Sequence, residues 1–300
     1  MAKPLRIFWL HALTPLHVGT GQGVGFIDLP VMREKATGWP LVPGSAVKGV
    51  RRDAADDGNT DKSLFKAAFG QADPGEGESE QDNAGSLVFT DARLVCLPVR
   101  SLLGTFAWVT APLVLQRLRR NLEAAGEAEE LPKKFDIGGE QAHIAEKPFS
   151  VLGSEDGKVY LEDLDFPTKS CSTAQSWAEK LAEWIFPGDA TWQALFIERF
   201  VVLPNDSFNF LCGTATEVNA RIRIDQQTKT VAGGALWYEE SLPAETILAG
   251  MVWCDRVLPK DTATPEDLLG TYCSGELKLQ IGGKATIGKG RVRCLFSGGS

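Results

Sequence analysis

Apolar residues along the chain follow two different spacings, which predict a mixture of strands and helices. The chain opens with an alternating apolar run, Leu5 to Thr14, which predicts a strand. After Pro43, and again over 112–125 and 173–186, apolar residues recur three to four positions apart, as in a helix with one buried face. Strands and helices follow one another without regular alternation, so the predicted fold class is α+β rather than a doubly wound sheet.

Glycine and proline mark where further elements begin and end. Pro43-Gly44-Ser45 precedes the first helix, and Ser45 is expected to cap it. Two alternating segments, Arg221–Asp225 and Ala235–Tyr238, flank Gly233-Gly234 and predict a projecting β-hairpin. Other helices are predicted at 61–69 and 205–212, and other strands at 86–99, 149–152, 159–162, 247–258, 277–281 and 291–296.

The composition is that of a folded protein without a membrane span, with 300 residues, 43% hydrophobic and 23% charged. The longest charge-free apolar segment, 101–116, is too short to cross a membrane. No signal-peptide pattern follows Lys3 and Arg6, because His11 interrupts the apolar run. The six cysteines lack the spacing of a zinc site or a disulfide framework, so we expect reduced thiols and a cytoplasmic location.

Charge is distributed unevenly along the chain, and this changes what the net charge of −8 implies. Between Asp53 and Asp91 there are ten acids and two bases, which predicts an acidic helical and loop insertion over 53–85. Residues 71–85 are glycine-rich as well as acidic and are expected to form a mobile loop. Two basic segments lie elsewhere, at 33–52 and 277–300. Because polyanions respond to local charge, the acidic total does not exclude a nucleic-acid partner.

Two glycine-rich segments, 19–25 and 283–290, are typical of loops that bring backbone N–H groups close to phosphates. Neither matches a nucleotide-binding loop. The first has glycine at every second position and does not open a helix, and the second has Gly290 where a P-loop needs a hydroxyl. Tight strand-to-strand turns are the alternative interpretation, although Lys284 and Lys289 add positive charge to the second loop.

Asp28 and His17 are the candidates for chemistry near the first glycine loop. Asp28 is the only acid before Arg33, and a lone aspartate there is typical of a turn cap as well as of a catalytic carboxylate. His17 could act as an acid or base, or it could be a structural histidine. No Ser-His-Asp, H-E-x-x-H or paired-carboxylate pattern accompanies them, so the residues alone leave both roles open.

Several of these segments together resemble the RAMP superfamily, the RNA-binding proteins of CRISPR effector complexes. The resemblance is carried by residues 13–21 (LTPLHVGTG), 27–30 (IDLP), 42–49 (VPGSAVKG) and 281–290 (IGGKATIGKG). Residues 98–101, 106–110, 217–224 and 234–237 are similar to the backbone subunits of type III-B, or Cmr, complexes. The resemblance spans nearly the whole chain, with little of it in 61–85 and 122–149.

The resemblance implies one ferredoxin-like (RRM-like) RAMP palm over residues 1–300, with a helical insertion and a protruding thumb hairpin at about 214–242. It implies a repeated backbone subunit whose partners are CRISPR guide RNA, target RNA, further copies of itself and other subunits of the Cmr effector complex. The thumb would displace a base pair so that a 2′-hydroxyl aligns with the neighbouring phosphorus, and the target RNA would be cut at regular intervals.

The resemblance also assigns roles to particular residues. Asp28 matches the family's catalytic aspartate and would hold a divalent metal, magnesium or manganese, because magnesium keeps most of its waters and one carboxylate can anchor it. His17, Glu239 and Glu240 are secondary catalytic candidates. The implied RNA-binding residues are Ser45, Lys48, Arg51, Arg221, Arg223, Trp237, Gly283, Lys284, Gly288 and Lys289.

Two other functions stay open on the sequence. The chain could be a structural filament subunit that holds guide RNA without cutting, or it could be a nuclease that processes the guide. Guide processing usually needs a general acid and a general base close together, and His17 is the only histidine in the loop region. The sequence therefore favours target cleavage over guide processing.

Overall fold

The computed structural model describes residues 4–21, 23, 25–56, 61–70, 84–127, 131–135, 139–146, 149–224, 227–258 and 262–297, with the backbone alone at 231–234. Most of the predicted acidic loop, 71–83, lies outside these residues, so that loop and the 53–85 insertion stay predictions. In the part of the chain that the structure describes, no helix is long and apolar enough to cross a membrane.

Strands form most of the framework. They are β1 (Leu5–Ala12), β2 (Leu41–Val42), β3 (Leu87–Phe89), β4 (Ala92–Arg100), β5 (Phe106–Thr110), β6 (Ala142–Ile144), β7 (Lys158–Leu161), β8 (Leu164–Ser170), β9 (Phe200–Val202), β10 (Glu217–Ile224), β11 (Val231–Ser241), β12 (Ile247–Cys254), β13 (Glu276–Gln280) and β14 (Arg291–Phe296). Twelve of them form one mixed sheet in the order β13-β14-β1-β12-β4-β5-β9-β6-β8-β7, with β2 paired to β4 and β3 to β12.

Seven helices accompany the sheet in the described residues. They are α1 (Gly44–Ala55), α2 (Lys62–Phe69), α3 (Pro112–Ala124), α4 (Ser172–Ile185), α5 (Ala190–Arg199), α6 (Asn205–Thr214) and α7 (Pro265–Tyr272). The predicted α+β class is confirmed. Helices α5 and α7 were not predicted, and the strand predicted at 149–152 is wrong, because that segment is irregular.

Strand β1 lies at the centre of two cores, one on each face of the sheet. It pairs antiparallel with β12 on one side and with β14 on the other. Alternation is typical of a strand with one exposed face, yet every residue from Ile7 to Ala12 is buried. Phe8 and Leu10 enter one hydrophobic cluster, whereas Ile7 and Trp9 enter a second cluster with the apolar faces of α3 and α4. Helices therefore cover the face that alternation would have left to solvent.

Helix α1 begins at Gly44, so the prediction that Ser45 caps it is wrong. Pro43 occupies the cap position and contributes no side-chain hydrogen bond. The Asp91 carboxylate instead accepts the Gly44 N–H at 2.9 Å. Glycine is needed here, because a Cβ at position 44 would lie 2.4 Å from the Phe89 carbonyl oxygen. The capping acceptor thus comes from the β3–β4 junction, which also divides the single strand predicted over 86–99.

Strands β10 and β11 form a separate antiparallel hairpin that joins no strand of the main sheet among the described residues. The predicted hairpin is present, but Gly233-Gly234 lie within β11 rather than in the turn. The register shifts between Ile222 and Ile224, which places Arg223 at an irregularity in β10. An isolated pair of strands is only marginally stable, so contacts at the root of the hairpin, where Glu217 pairs with Ser241, become important for holding it.

Candidate functional site

The first glycine loop, residues 16–32, lies against the root of the hairpin. Leu16 pairs with Leu242, and Leu29 forms a parallel bridge with Glu239. The Leu29 N–H donates to the Tyr238 carbonyl oxygen and the Glu240 N–H donates to the Leu29 carbonyl oxygen, both at 3.0 Å. These backbone bonds make the segment around Leu29 a short extra strand beside β11.

Asp28 is held at this junction while its side chain stays exposed. One carboxylate oxygen, Oδ2, accepts the Tyr238 backbone N–H at 2.8 Å. The described residues contain no group of three or more His, Cys, Asp or Glu side chains arranged to hold a metal ion. Asp28 therefore presents a single fixed carboxylate to solvent beside the hairpin.

Glu240, on β11, is buried and its carboxylate holds parts of three segments together. Oε1 accepts from Arg33 Nη2 at 2.5 Å and from Thr216 Oγ1 at 2.8 Å. Oε2 accepts the Val31 backbone N–H at 2.9 Å. The Glu240 side chain is only 2% exposed, so its charge is compensated within the protein by Arg33.

Glu239, the preceding residue on β11, is buried toward the second glycine loop. Its Oε1 lies 2.7 Å from Lys289 Nζ and its Oε2 lies 3.5 Å from Lys284 Nζ. Burial raises the pKa of the Glu239 carboxyl, but the hydrogen bond and charge of Lys289, followed by the charges of Lys284 and His17, outweigh burial and lower it overall. The carboxylate is thus ionised and neutralised within the protein.

His17 joins the two glycine loops. Its ring is buried, and Nδ1 lies 2.6 Å from the Glu240 carbonyl oxygen. Because a carbonyl only accepts, Nδ1 carries the proton and donates it. The His17 carbonyl oxygen accepts the Gly283 N–H at 3.0 Å, and a Cβ at Gly282 would lie 2.2 Å from that oxygen. The backbones of the two loops therefore approach so closely at Gly282 that only glycine fits.

The two lysines of the second glycine loop differ in what they can reach. Lys289 is buried and donates to both Glu239 and Ser241 at 2.7 Å. Lys284 has a left-handed backbone (φ 68°) and a side chain that is 34% exposed. Lys284 is consequently the cation of this loop that faces solvent, and Gly283 and Gly288 lie exposed near it.

The predicted guide-binding residues of α1 are mostly directed into the protein. Ser45 is exposed, but Lys48 Nζ donates to the Leu87 carbonyl oxygen at 2.8 Å. Arg51 is buried and its Nε donates to the Tyr272 carbonyl oxygen at 2.6 Å. Burial, followed by the charge of a neighbouring arginine, lowers the pKa of the Lys48 amino group. Both side chains therefore donate to backbone carbonyls within the protein.

The hairpin has two chemically different faces. Arg221 pairs across the strands with Trp237, and Trp237 is half-buried on that face. The opposite face is apolar and exposed, and it includes Val218, Ile222, Leu236 and Tyr238. Phe26 of the first glycine loop is 76% exposed and contacts the Tyr238 ring edge-on, with centroids 6.5 Å apart.

Three residues of this site were missed in the sequence: Arg33, Phe26 and Tyr238. The signals were present, because Phe26 lies two residues before Asp28 and Tyr238 alternates with Trp237 along one strand. Arg33 was counted only as part of a basic segment. Its pairing with Glu240 joins residues far apart in the chain, which no local pattern records.

Comparison with known proteins gives consistent results over the whole chain. The RAMP superfamily profile matches residues 9–293. The CRISPR system Cmr endoribonuclease Cmr4 of Pyrococcus furiosus is 36% identical over 295 residues, covering 95% of this chain and 92% of that protein. The CRISPR system CMR subunit Cmr4 of Saccharolobus solfataricus is 24% identical over 308 residues, covering 96% and 95%.

Solved structures share the fold. The crystal structure of oligomeric Cmr4 from Pyrococcus furiosus superposes with a TM-score of 0.73 at 26% identity, covering 97% of both chains. A chain in the cryo-EM structure of the type III-B Cmr-beta complex bound to cognate target RNA gives a TM-score of 0.71 at 23% identity, covering 97% and 96%. This chain belongs to the RAMP superfamily and, within it, to the Cmr4 proteins of CRISPR Cmr systems.

Proposed function

We propose that this chain is a repeated backbone subunit of a CRISPR RNA-guided ribonucleoprotein that binds guide RNA and cleaves complementary target RNA at regular intervals. The observation that carries the proposal is the exposed Asp28 carboxylate, fixed where a glycine loop meets the root of a projecting hairpin. The relative that is 36% identical is named an endoribonuclease, which supports the same reaction here. Further copies of this chain and other Cmr subunits are the protein partners, and the free cysteines fit a cytoplasmic location.

The architecture supports a division into palm and thumb. The main sheet with its helices would be the ferredoxin-like palm, and the β10–β11 hairpin would be the thumb that enters the guide–target duplex. A wedge needs apolar or aromatic surface to replace lost base stacking. Trp237, an implied RNA-binding residue, is one candidate for this surface, and the exposed pair Phe26 and Tyr238 supplies a second aromatic surface beside Asp28, which accepts the Tyr238 N–H.

The proposed reaction is an internal transfer on RNA. The 2′-oxygen of the nucleotide beside the displaced base attacks the adjacent phosphorus, and the bond from phosphorus to the next 5′-oxygen breaks. The 2′-hydroxyl loses its proton and the leaving oxygen gains one, which gives a 2′,3′-cyclic phosphate and a 5′-hydroxyl. Regular A-form geometry prevents the in-line alignment, so displacing a base would supply much of the rate.

A divalent metal fits the donor set at Asp28. One exposed carboxylate suits magnesium or manganese, which retain waters and share RNA phosphate oxygens, whereas a closed zinc site needs four protein ligands. Asp28 would hold the ion, and its charge would stabilise negative charge that develops on the phosphate oxygens. The hydrogen bond from the Tyr238 N–H fixes the carboxylate for this task.

RNA affinity would come from cations around this junction. Lys284 is accessible on the second glycine loop, and Arg221 and Arg223 extend along the hairpin. Lys48 would have to release its internal hydrogen bond to reach a guide phosphate, and Arg51 would act mainly by fixing α1. We expect these cations to give binding a strong salt dependence.

The test is to reconstitute the complex with guide and matched target RNA and to map the cut positions. Asp28→Ala should keep target binding within about three-fold, because the cationic surface is untouched, and should lose the ladder of products. Asp165→Ala is a control, since Asp165 is an exposed carboxylate on β8 of the main sheet that pairs with Lys158 and is not part of the hairpin. An undiminished Asp28→Ala ladder in magnesium would contradict the proposal.

A non-cutting filament subunit is the second candidate, and one observation favours it. Glu239, Glu240 and His17 are buried and bonded within the protein, which leaves Asp28 as the exposed acidic group of the site. If wild-type complexes bind target but give no ladder in magnesium or manganese, the structural role is the correct one. Cleavage of the guide precursor by the isolated chain would instead indicate guide processing.

A further inference from the structure

Arg33 joins three segments of the chain at the root of the hairpin. Its Nη1 donates to the Gly38 carbonyl oxygen at 2.8 Å and to the Cys212 carbonyl oxygen of α6 at 2.9 Å. Its Nη2 donates to Glu240 of β11. Helix α6 leads directly into the hairpin, so one guanidinium contacts the segment before the hairpin, the strand that leaves it and the segment that follows Asp28.

Glu240 completes the same connection from the other side. Its carboxylate accepts from Val31, three residues after Asp28, and from Thr216, just before β10. The backbone bonds of Leu29 flank these contacts. Asp28 therefore lies on a segment that is tied down at Leu29, Val31 and Arg33.

The loop before Asp28 is tied to the segment after it as far as Thr20, whose N–H donates to the Pro30 carbonyl oxygen, and the described residues beyond Thr20 are rich in glycine. Gly19, Gly21, Gly23 and Gly25 alternate before Asp28, and Gly21 and Gly25 have positive φ values of 76° and 62°. Glycine permits many backbone conformations, so this part of the loop cannot fix the carboxylate by itself. The hydrogen bond from Tyr238 fixes Asp28 only while the loop and β11 stay in register.

We propose that Arg33 and Glu240 are positioning residues for RNA cleavage, which set the distance between the Asp28 carboxylate and the hairpin that bends the RNA. This inference rests on the proposed function. Because the ion pair is largely buried, removing one partner leaves an uncompensated charge and releases the loop. A displacement of about 1 Å at a reacting group can slow a reaction about a hundred-fold, whereas binding by distant cations is insensitive to it.

The test compares Arg33→Met and Glu240→Gln with Arg117→Met as a matched control. Arg33 and Arg117 have side chains 26% and 25% exposed, and each pairs with one buried or half-buried glutamate. Arg117 pairs with Glu34 and lies over the Trp39 ring, and among the described residues no hydrogen bond or ion pair joins it to the hairpin. Target affinity, single-turnover cleavage rate, cut positions and thermal unfolding are measured for each reconstituted complex.

Arg33→Met and Glu240→Gln should bind target within about three-fold of wild type but cleave at least about ten-fold more slowly, because the reacting groups lose alignment. Some cuts should move to neighbouring phosphates. The double variant should be no slower than the worse single variant, since both remove one connection. Arg33→Lys keeps a positive charge opposite Glu240 and should recover part of the cleavage rate. Arg117→Met should cleave at the wild-type positions and at the wild-type rate.

A purely structural role gives a different result, in which unfolding temperatures fall but folded complexes cleave at the wild-type rate and positions. That result would overturn the inference. Glu240→Gln keeps the size of the side chain, so it remains informative if Arg33→Met does not fold. Asp28→Ala is measured in parallel. If Asp28→Ala keeps the ladder of products, the proposed function fails. If Asp28→Ala loses the ladder while the Arg33 and Glu240 variants keep it unchanged, this inference alone fails.

Discussion

Lys284 and Lys289 contact the same carboxylate, yet the structure predicts that one carries RNA affinity and the other carries stability. Lys289 has a side chain 8% exposed and lies 2.7 Å from a Glu239 oxygen, and the Glu239 side chain is 1% exposed. Breaking a buried pair costs about 3–5 kcal/mol because the remaining charge is uncompensated. Lys284 stays 3.5 Å from the other oxygen, so we expect Lys289→Met to lower the free energy of unfolding by about 3 kcal/mol.

The pH dependence of this loss follows from the pKa of Glu239. In the native protein that pKa is below its usual value of 4.5, so its contribution to stability is present above 4.5 and is lost as the pH falls through the lowered pKa. Without Lys289, burial favours the neutral carboxyl and raises the pKa. Protonation of Glu239 then relieves the variant, so the difference in stability between wild type and Lys289→Met should begin to narrow above pH 4.5, as the pH falls through the raised pKa of the variant. It should narrow further below pH 4.5, where wild type loses its own contribution.

Lys284→Met should have the opposite profile. Its partly exposed ion pair contributes at most about 1 kcal/mol, so stability should change little. If its amino group contacts an RNA phosphate, the log–log slope of affinity against salt should fall by about one unit. Lys289→Met should leave that slope unchanged.

Urea unfolding at pH 7 and pH 4 measures the first effect, and salt titration of guide binding measures the second. Lys289→Met with Glu239→Gln should recover most of the lost stability, because no buried charge is left unpaired. A loss below about 1 kcal/mol for Lys289→Met would refute the reasoning from burial. Equal changes of slope in both single variants would show that Lys289 also reaches RNA.

Three further predictions concern other parts of the chain. Arg51→Met should lower the unfolding temperature, because it removes a buried hydrogen bond. Lys48→Met should lower the log–log slope of guide affinity against salt by about one unit, and the reverse pattern would exchange the roles of the two residues. Phe26→Ala and Tyr238→Ala should each weaken target-RNA binding by about 1 kcal/mol if these rings stack on a base, and unchanged affinity in both would place the stacking surface elsewhere. Burial lowers the pKa of His143 from 6.5, so stability should fall as the pH falls below about 6.5, and His143→Phe should flatten this part of a pH-dependent unfolding curve.

Local patterns in the sequence predicted most helices and strands but not the contacts between them. The spacing after Pro43 predicted α1, and the alternation around Arg221 predicted the hairpin. The cap of α1 was assigned wrongly, because the acceptor is Asp91, which tertiary folding brings to Gly44. The glycine pair was placed in the hairpin turn because glycine usually marks turns, whereas here it lies inside a strand.

The candidate site shows the same limit. Family resemblance directed attention to Asp28, Glu239 and Glu240, but the residue types cannot tell which carboxylates are neutralised. Consecutive residues of a strand point to opposite faces, so Glu239 reaches one glycine loop and Glu240 the other. Which loop each glutamate reaches depends on where β11 lies relative to two loops that are far apart in the sequence. Local sequence patterns carry no information about that tertiary arrangement.

The position of β1 has a consequence for when the protein can fold during its synthesis. Phe8 pairs with Phe296, and His17 near the start contacts Gly283 near the end. During synthesis the N-terminal strand has to wait for β14, and pairings between such distant segments form slowly. The junction of Asp28, Glu239 and Lys289 is therefore completed only when the last strand emerges. A nascent chain therefore carries Asp28 for most of its synthesis without the hairpin and the second glycine loop that complete the junction.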